Sequence, residues 1–270
     1  MPNIEYYSDV KVLKKPLKER AKRVFKIFLF LFVVVSCFLG AKYLSGALTV
    51  GNLGALIVYG DTSLKIDNST LYAVTLGEYD TFEKAEQVAL GATIQGASGF
   101  VWQDSKYYVI GNIYPTEKDA LSVMENLKET NYNIALKEIP FNSLKLDFSM
   151  YENKDMQIVN KAFKVVDKVY NSLYNYSIDF DKGEVSHLAV SSYISSLRGE
   201  VKSIIIDVQN LLNKSSSDLK NLQTTLIKID EILDQAIIKV IDNTSTNYSL
   251  KYSISSVVRV KFELFNKLSA

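Results

Sequence analysis

One phrase is written twice in this chain, at a constant offset of 35 residues and without a gap. Tyr72, Val74, Tyr79, Thr81, Ala85 and Val88 recur as Tyr107, Val109, Tyr114, Thr116, Ala120 and Val123. An exact repeat constrains a fold more than any composition does, because both copies must adopt the same supersecondary unit. Two copies are too few for a solenoid, so they must close on each other in one small domain. Residues 71–76 alternate, with Tyr72, Val74 and Leu76 on one face and Ala73 and Thr75 on the other. Gly77 and Asp80 end that strand, and Thr81 is suited to cap a helix over 82–94 that buries Ala85, Val88 and Ala89. A short strand at 100–102, a polar turn and a strand at 107–114 follow. Thr116 then caps a second helix over 117–130, and residues 132–139 form a last strand. The order is βαββαβ. It predicts an antiparallel sheet with two helices on one face and the other face open. On that open face the alternation places Thr75, Tyr108, Ile110 and Asn112.

Charge is unevenly distributed. Residues 1–26 hold eight Lys/Arg against three Asp/Glu, a net +5, whereas residues 71–139 hold five Lys against ten Asp/Glu, a net −5. RNA-binding domains share the βαββαβ order, but an acidic folded domain is the wrong sign for phosphate, so nucleic acid is not an expected partner. The chain has one cysteine, Cys37, and one histidine, His187. Those counts argue against most zinc sites and against Cys-His or Ser-His-Asp catalysis. The helical carboxylate pairs Glu83/Glu86 and Glu125/Glu129 read as solvated faces rather than a glycan-hydrolase pair. No catalytic residue, metal or cofactor is expected.

Residues 27–41 are fifteen without a charge. At ~1.5 Å per residue they cover ~22 Å, short of a ~30 Å hydrocarbon core. Extended over 24–48 the segment spans, provided Lys26 and Lys42 snorkel from its ends. The basic flank puts residues 1–23 in the cytoplasm and everything after residue 48 outside, as a single-pass signal anchor. Cys37 follows Val-Val-Ser, so a lipoprotein signal is the competing reading, opposed by the apolar residues that continue past it. Residues 49–70, glycine-bearing and then polar, read as a linker to the repeat domain at 71–140.

From 151 to 270 glycine and proline nearly vanish and heptad spacing sets in. Val159, Ala162, Val166, Val169 and Leu173 step by 3 and 4, as do Ile194 to Leu211 and Leu219 to Val240. A final helix carries a stripe of Leu250, Ile254, Val257 and Leu264. Long helices with short connections imply an antiparallel bundle of four. It is expected to act as a spacer, or to hold a protein partner or a second copy.

The ordered set Tyr72-x-Val74-x-Leu76-Gly77-x-Tyr79, the Ala85 helix, Gly99-Phe100-Val101, Lys106-Tyr-Tyr-Val109 and Tyr114-x-Thr116-x-x-x-Ala120 resembles the SPOR (sporulation-related repeat) domain. The resemblance covers about 70 of 270 residues. It implies a ferredoxin/RNP-like βαββαβ fold in an α+β chain. It also implies a bacterial membrane protein that binds peptidoglycan glycan strands stripped of stem peptides, in cell division or sporulation. Thr75, Trp102, Tyr108 and Asn112 are the residues that would meet the glycan. Where family members carry Gln and Arg on these strands, this chain has Thr75 and Tyr108, and Glu78 follows the glycine. The alternative function is a non-enzymatic structural or assembly protein of the cell envelope, whose repeat domain makes protein contacts.

Overall fold

The computed structural model describes residues 63–128, 130–148, 151–212, 216–240 and 242–269. The membrane segment expected at 24–48 lies outside them. None of the described helices is long and apolar enough to cross a membrane.

The described residues are α+β. They open with strand β1 (Ser63–Ile66), inside the stretch read as linker, and continue through β2 (Ser69–Tyr79), helix α1 (Phe82–Ile94), β3 (Phe100–Gln103) and β4 (Tyr107–Tyr114). Helix α2 (Glu117–Asn126), β5 (Ala135–Phe141) and β6 (Leu144–Asp147) complete this half. β3, β4, β2 and β5 form one antiparallel sheet in that spatial order, and β1 pairs with β6 in a separate two-stranded ribbon. The two copies begin their helices alike. Thr81 Oγ1 accepts from the Lys84 amide at 3.4 Å, and Thr116 Oγ1 accepts from the Asp119 amide at 3.1 Å. Each side-chain oxygen satisfies one of the donors that a helix start leaves open.

Four long helices follow: α3 (Asn153–Asp181), α4 (His187–Leu211), α5 (Ser217–Lys239) and α6 (Asn243–Ser269). The heptad positions are their core. Val159, Val169, Ile194, Val208, Leu226 and Ile229 are buried, as are Leu250 and Ile254. The first of them, α3, runs unbroken through Ser177 and turns only at Gly183, whose φ is +75°.

The sheet face expected to be open is closed. Leu71, Ala73, Trp102, Ile110, Ile113, Ile139 and Phe141 belong to the same buried cluster as the bundle core. The described residues thus belong to one compact unit with two core layers: helices α1 and α2 on one side of the sheet, the bundle on the other. Helix α6 is the bundle element that meets the sheet most broadly. Beyond its apolar stripe it buries Ser249, Ser253 and Ser255, small residues that let neighbours approach it from several sides. Ser255 Oγ lies 2.9 Å from Ser98 Oγ in the turn before β3. Phe262 packs on Trp102 and Phe141, and Arg259 donates to the Gln103 carbonyl at 2.9 Å. Lys261, 3% exposed, pairs with Asp167 of α3 at 2.6 Å beside the Phe141 ring. Leaving either charge alone there would cost several kcal/mol, so the pair locks the register of α6 on α3 and on the sheet.

Candidate functional site

The four residues expected to meet a ligand do not share an exposed face. Thr75 is 2% exposed, and its hydroxyl donates to the Ala135 carbonyl on the neighbouring strand at 3.1 Å. Trp102 is 1% exposed, held between Phe100, Phe262 and the Arg259 guanidinium. Tyr108 is half-buried, packed against the shared core on one side, with the Lys137 ammonium 4.2 Å from its ring centre. These three do lie on the same side of the sheet, the side now under the bundle.

Asn112 is a correction to the expected alternation. β2 and β4 pair Tyr72 with Tyr114 and Val74 with Asn112, but then Thr75 with Ile110. One residue of β4, Gly111, is therefore bulged out, and a second irregularity at Leu76 restores the register. A one-residue slip turns side chains to the opposite face. Ile110 and Ile113 both face the bundle, while Asn112 faces helices α1 and α2. Glycine suits the bulge because a Cβ there would lie 3.2 Å from the Val74 carbonyl oxygen.

That slip shapes a cleft of the repeat domain. It is about 180 Å³, lies between α1, α2 and the sheet, and is lined by Val74, Leu76, Asn112, Tyr114, Leu127 and Tyr132. Lys251 of α6 reaches its rim but is already engaged. It donates to the Gly96 carbonyl at 3.0 Å and Asn247 Oδ1 at 2.7 Å, and pairs with Asp181 at 3.2 Å. Asn112 is 5% exposed; its amide hydrogen-bonds Tyr114, and its Oδ1 has no protein partner. Tyr114, Tyr170 and Tyr174 continue from it as an edge-and-stack run of rings. Burial pushes the Tyr114 phenol up to about 12, with the Asn112 bond opposing and Asp181 and Asp119 adding to the rise. Burial likewise raises Tyr174 and Tyr170. Neutral phenols in an apolar wall make this a packing feature with no acid or base poised for chemistry near neutral pH.

A second groove, about 380 Å³, runs between α5 and α6 along Ile232, Ala236, Tyr252, Ser256 and Val260. Glu263 beside it is held below the usual carboxylate range by Lys228 and Arg259, which outweigh the opposing effect of burial. Among the described residues no cluster of His, Cys, Asp and Glu side chains is arranged to hold a metal ion. No protein-family model matches this chain, and no curated protein or solved structure matches it.

What the sequence missed was the partner of the sheet. The signal was present in α6, where Ser249, Ser253, Ser255 and Ser256 flank the apolar stripe. A helix with small or apolar residues most of the way round is one covered on several sides.

Proposed function

We propose that this chain is a non-enzymatic structural or assembly protein of the bacterial cell envelope. It is anchored by residues 24–48, with its repeat domain and bundle outside the membrane acting as one rigid module. The observation that carries this reading is the covered sheet: the surface a SPOR-like domain would offer to a glycan is occupied by α6, and Trp102 is sealed within it. A sugar platform needs an aromatic face in contact with water; here the aromatic face is core. Envelope placement rests on the apolar segment and its basic flank, and on the resemblance of the repeat to SPOR domains.

The competing reading is that the repeat domain binds denuded peptidoglycan through Thr75, Trp102, Tyr108 and Asn112. It would require α6 to leave the sheet, exposing Ile110, Trp102 and Phe141 together, at a cost of about 2 kcal/mol or more for each large apolar side chain. The test is retention of the chain from residue 52 onward on peptidoglycan sacculi, with and without amidase treatment to strip stem peptides. The assembly reading expects background retention on both. Enrichment on the stripped sacculi would overturn it in favour of glycan binding.

A further inference from the structure

The apolar layer between the sheet and its two covering helices is not continuous. Beneath α1 it gathers around Leu76, Ala85, Ala89, Ala92 and Val109, and beneath α2 around Val74, Tyr114 and Ala120. The cleft of about 180 Å³ lies at the seam, with Leu76 from one group and Val74 and Tyr114 from the other in its walls. Protein interiors are normally filled to crystal-like density, and a gap of this size forfeits packing unless something occupies it. An apolar cavity of about 150 Å³ already accepts a benzene ring. The bulge at Gly111 also brings Asn112 to this wall, where plain alternation along β4 would have put it on the other face. Asn112 is 5% exposed, and its Oδ1 is the one buried side-chain atom on the cleft wall with no partner among the described residues. A buried acceptor left unpaired is destabilising, and an apolar side chain at this position would avoid that.

Three other polar groups at the cleft are already committed. The Tyr114 hydroxyl accepts from the Asn112 amide, and Thr130 Oγ1 donates to the Leu127 carbonyl at 2.7 Å. Lys251 directs its three ammonium hydrogens to the Gly96 carbonyl, Asn247 Oδ1 and Asp181. Its charge is therefore balanced, and the domain from 71 to 139 carries a net −5, so the surroundings disfavour an anion. The Tyr114 and Tyr132 rings give the cleft aromatic walls. From the seam in the core and the unpartnered Asn112 acceptor we infer that this cleft binds a small neutral aromatic molecule carrying one hydrogen-bond donor, such as a phenol. The ring fills the gap between Val74, Leu76 and Leu127, and its O–H donates to Asn112 Oδ1. This goes beyond the assembly reading. The cleft lies on the opposite side of the sheet from Trp102, and its ligand is independent of whatever the envelope module assembles with.

The test titrates the isotope-labelled chain from residue 52 onward with phenol, toluene and benzoate, read by nuclear magnetic resonance. Phenol should shift the Asn112 side-chain amide and the Leu76 and Leu127 signals saturably, with Overhauser contacts from its ring to both leucines. Benzoate should not bind. Asn112→Leu keeps the size of the side chain and removes the acceptor, so the ratio of the phenol to the toluene dissociation constant should rise by about fivefold or more. Val123→Phe, on the α2 wall, fills the cleft and should abolish binding of both rings. Circular dichroism, and the fluorescence of Trp102 on the far side of the sheet, report whether each variant is folded. Should a variant fail to fold, the Overhauser contacts in the parent chain decide the matter alone. No saturable shift at millimolar phenol, contacts that map outside the cleft, a ratio unchanged by Asn112→Leu, or benzoate binding as well as phenol would each overturn the inference.

Discussion

At the scale of single residues, the chemistry that is buried here is neutral or paired. Tyr114, Tyr170 and Tyr174 lie where the sheet, α2 and α3 meet, and desolvation raises all three phenols above their ordinary value near 10. The native state therefore resists losing these protons while the unfolded chain does not. Their contribution is complete below pH about 10 and is lost as pH rises through the folded value, about 12 for Tyr114. Urea midpoints should be level up to that window and fall steeply within it. Tyr174→Phe, which keeps the ring stacked on Tyr170, should make the fall shallower; an unchanged slope would mean that other groups drive the alkaline transition.

At the scale of elements, the repeat is exact in position but unequal in strength. The second helix has the shorter cap contact and adds a bond from the Thr116 hydroxyl to Asp119 at 2.6 Å, where the first helix places Lys84. An acidic side chain in the first turn also suits the helix dipole, and a lysine does not. Thr116→Ala is expected to cost about 1 kcal/mol, and Thr81→Ala clearly less, by chemical denaturation of each variant. The strands slip at equivalent positions, Leu76 in one copy and Gly111 in the other, and the slip at Gly111 decides which face Asn112 occupies. Alternation could locate both main strands, and it placed Val74 and Val109 correctly toward α1 and α2. It could not show where the register slips, because a bulge is set by cross-strand pairing between residues far apart in sequence.

At the scale of the whole molecule, the sheet and the bundle share one core, so they should unfold together. Trp102 is the only tryptophan and sits at that contact. Its fluorescence should change at the same denaturant concentration as the far-ultraviolet circular dichroism, which is dominated by the four long helices. Separate transitions would mean that the bundle releases the sheet before either melts, and would revive the open-face reading. The same geometry implies that the repeat domain cut away near residue 148 would expose Trp102, Ile110 and Phe141, whereas the chain from residue 52 keeps them covered.

The sequence by itself determined the local structure. The doubled phrase set the βαββαβ order, both capping threonines and the inward face of each helix; the heptads set four long helices and their core stripes. Those features depend on periodicity and on contacts within one element, which a linear pattern records. Only the tertiary structure decided that α6 lies on the sheet, that Thr75 and Trp102 are buried, and that Asn112 faces the opposite way from its neighbours in the pattern. A half-apolar strand face reads the same whether water, sugar or a helix lies above it. The difference is made by residues more than 100 positions away, Ser255, Arg259 and Phe262, whose spacing on α6 matches the sheet only once both are folded.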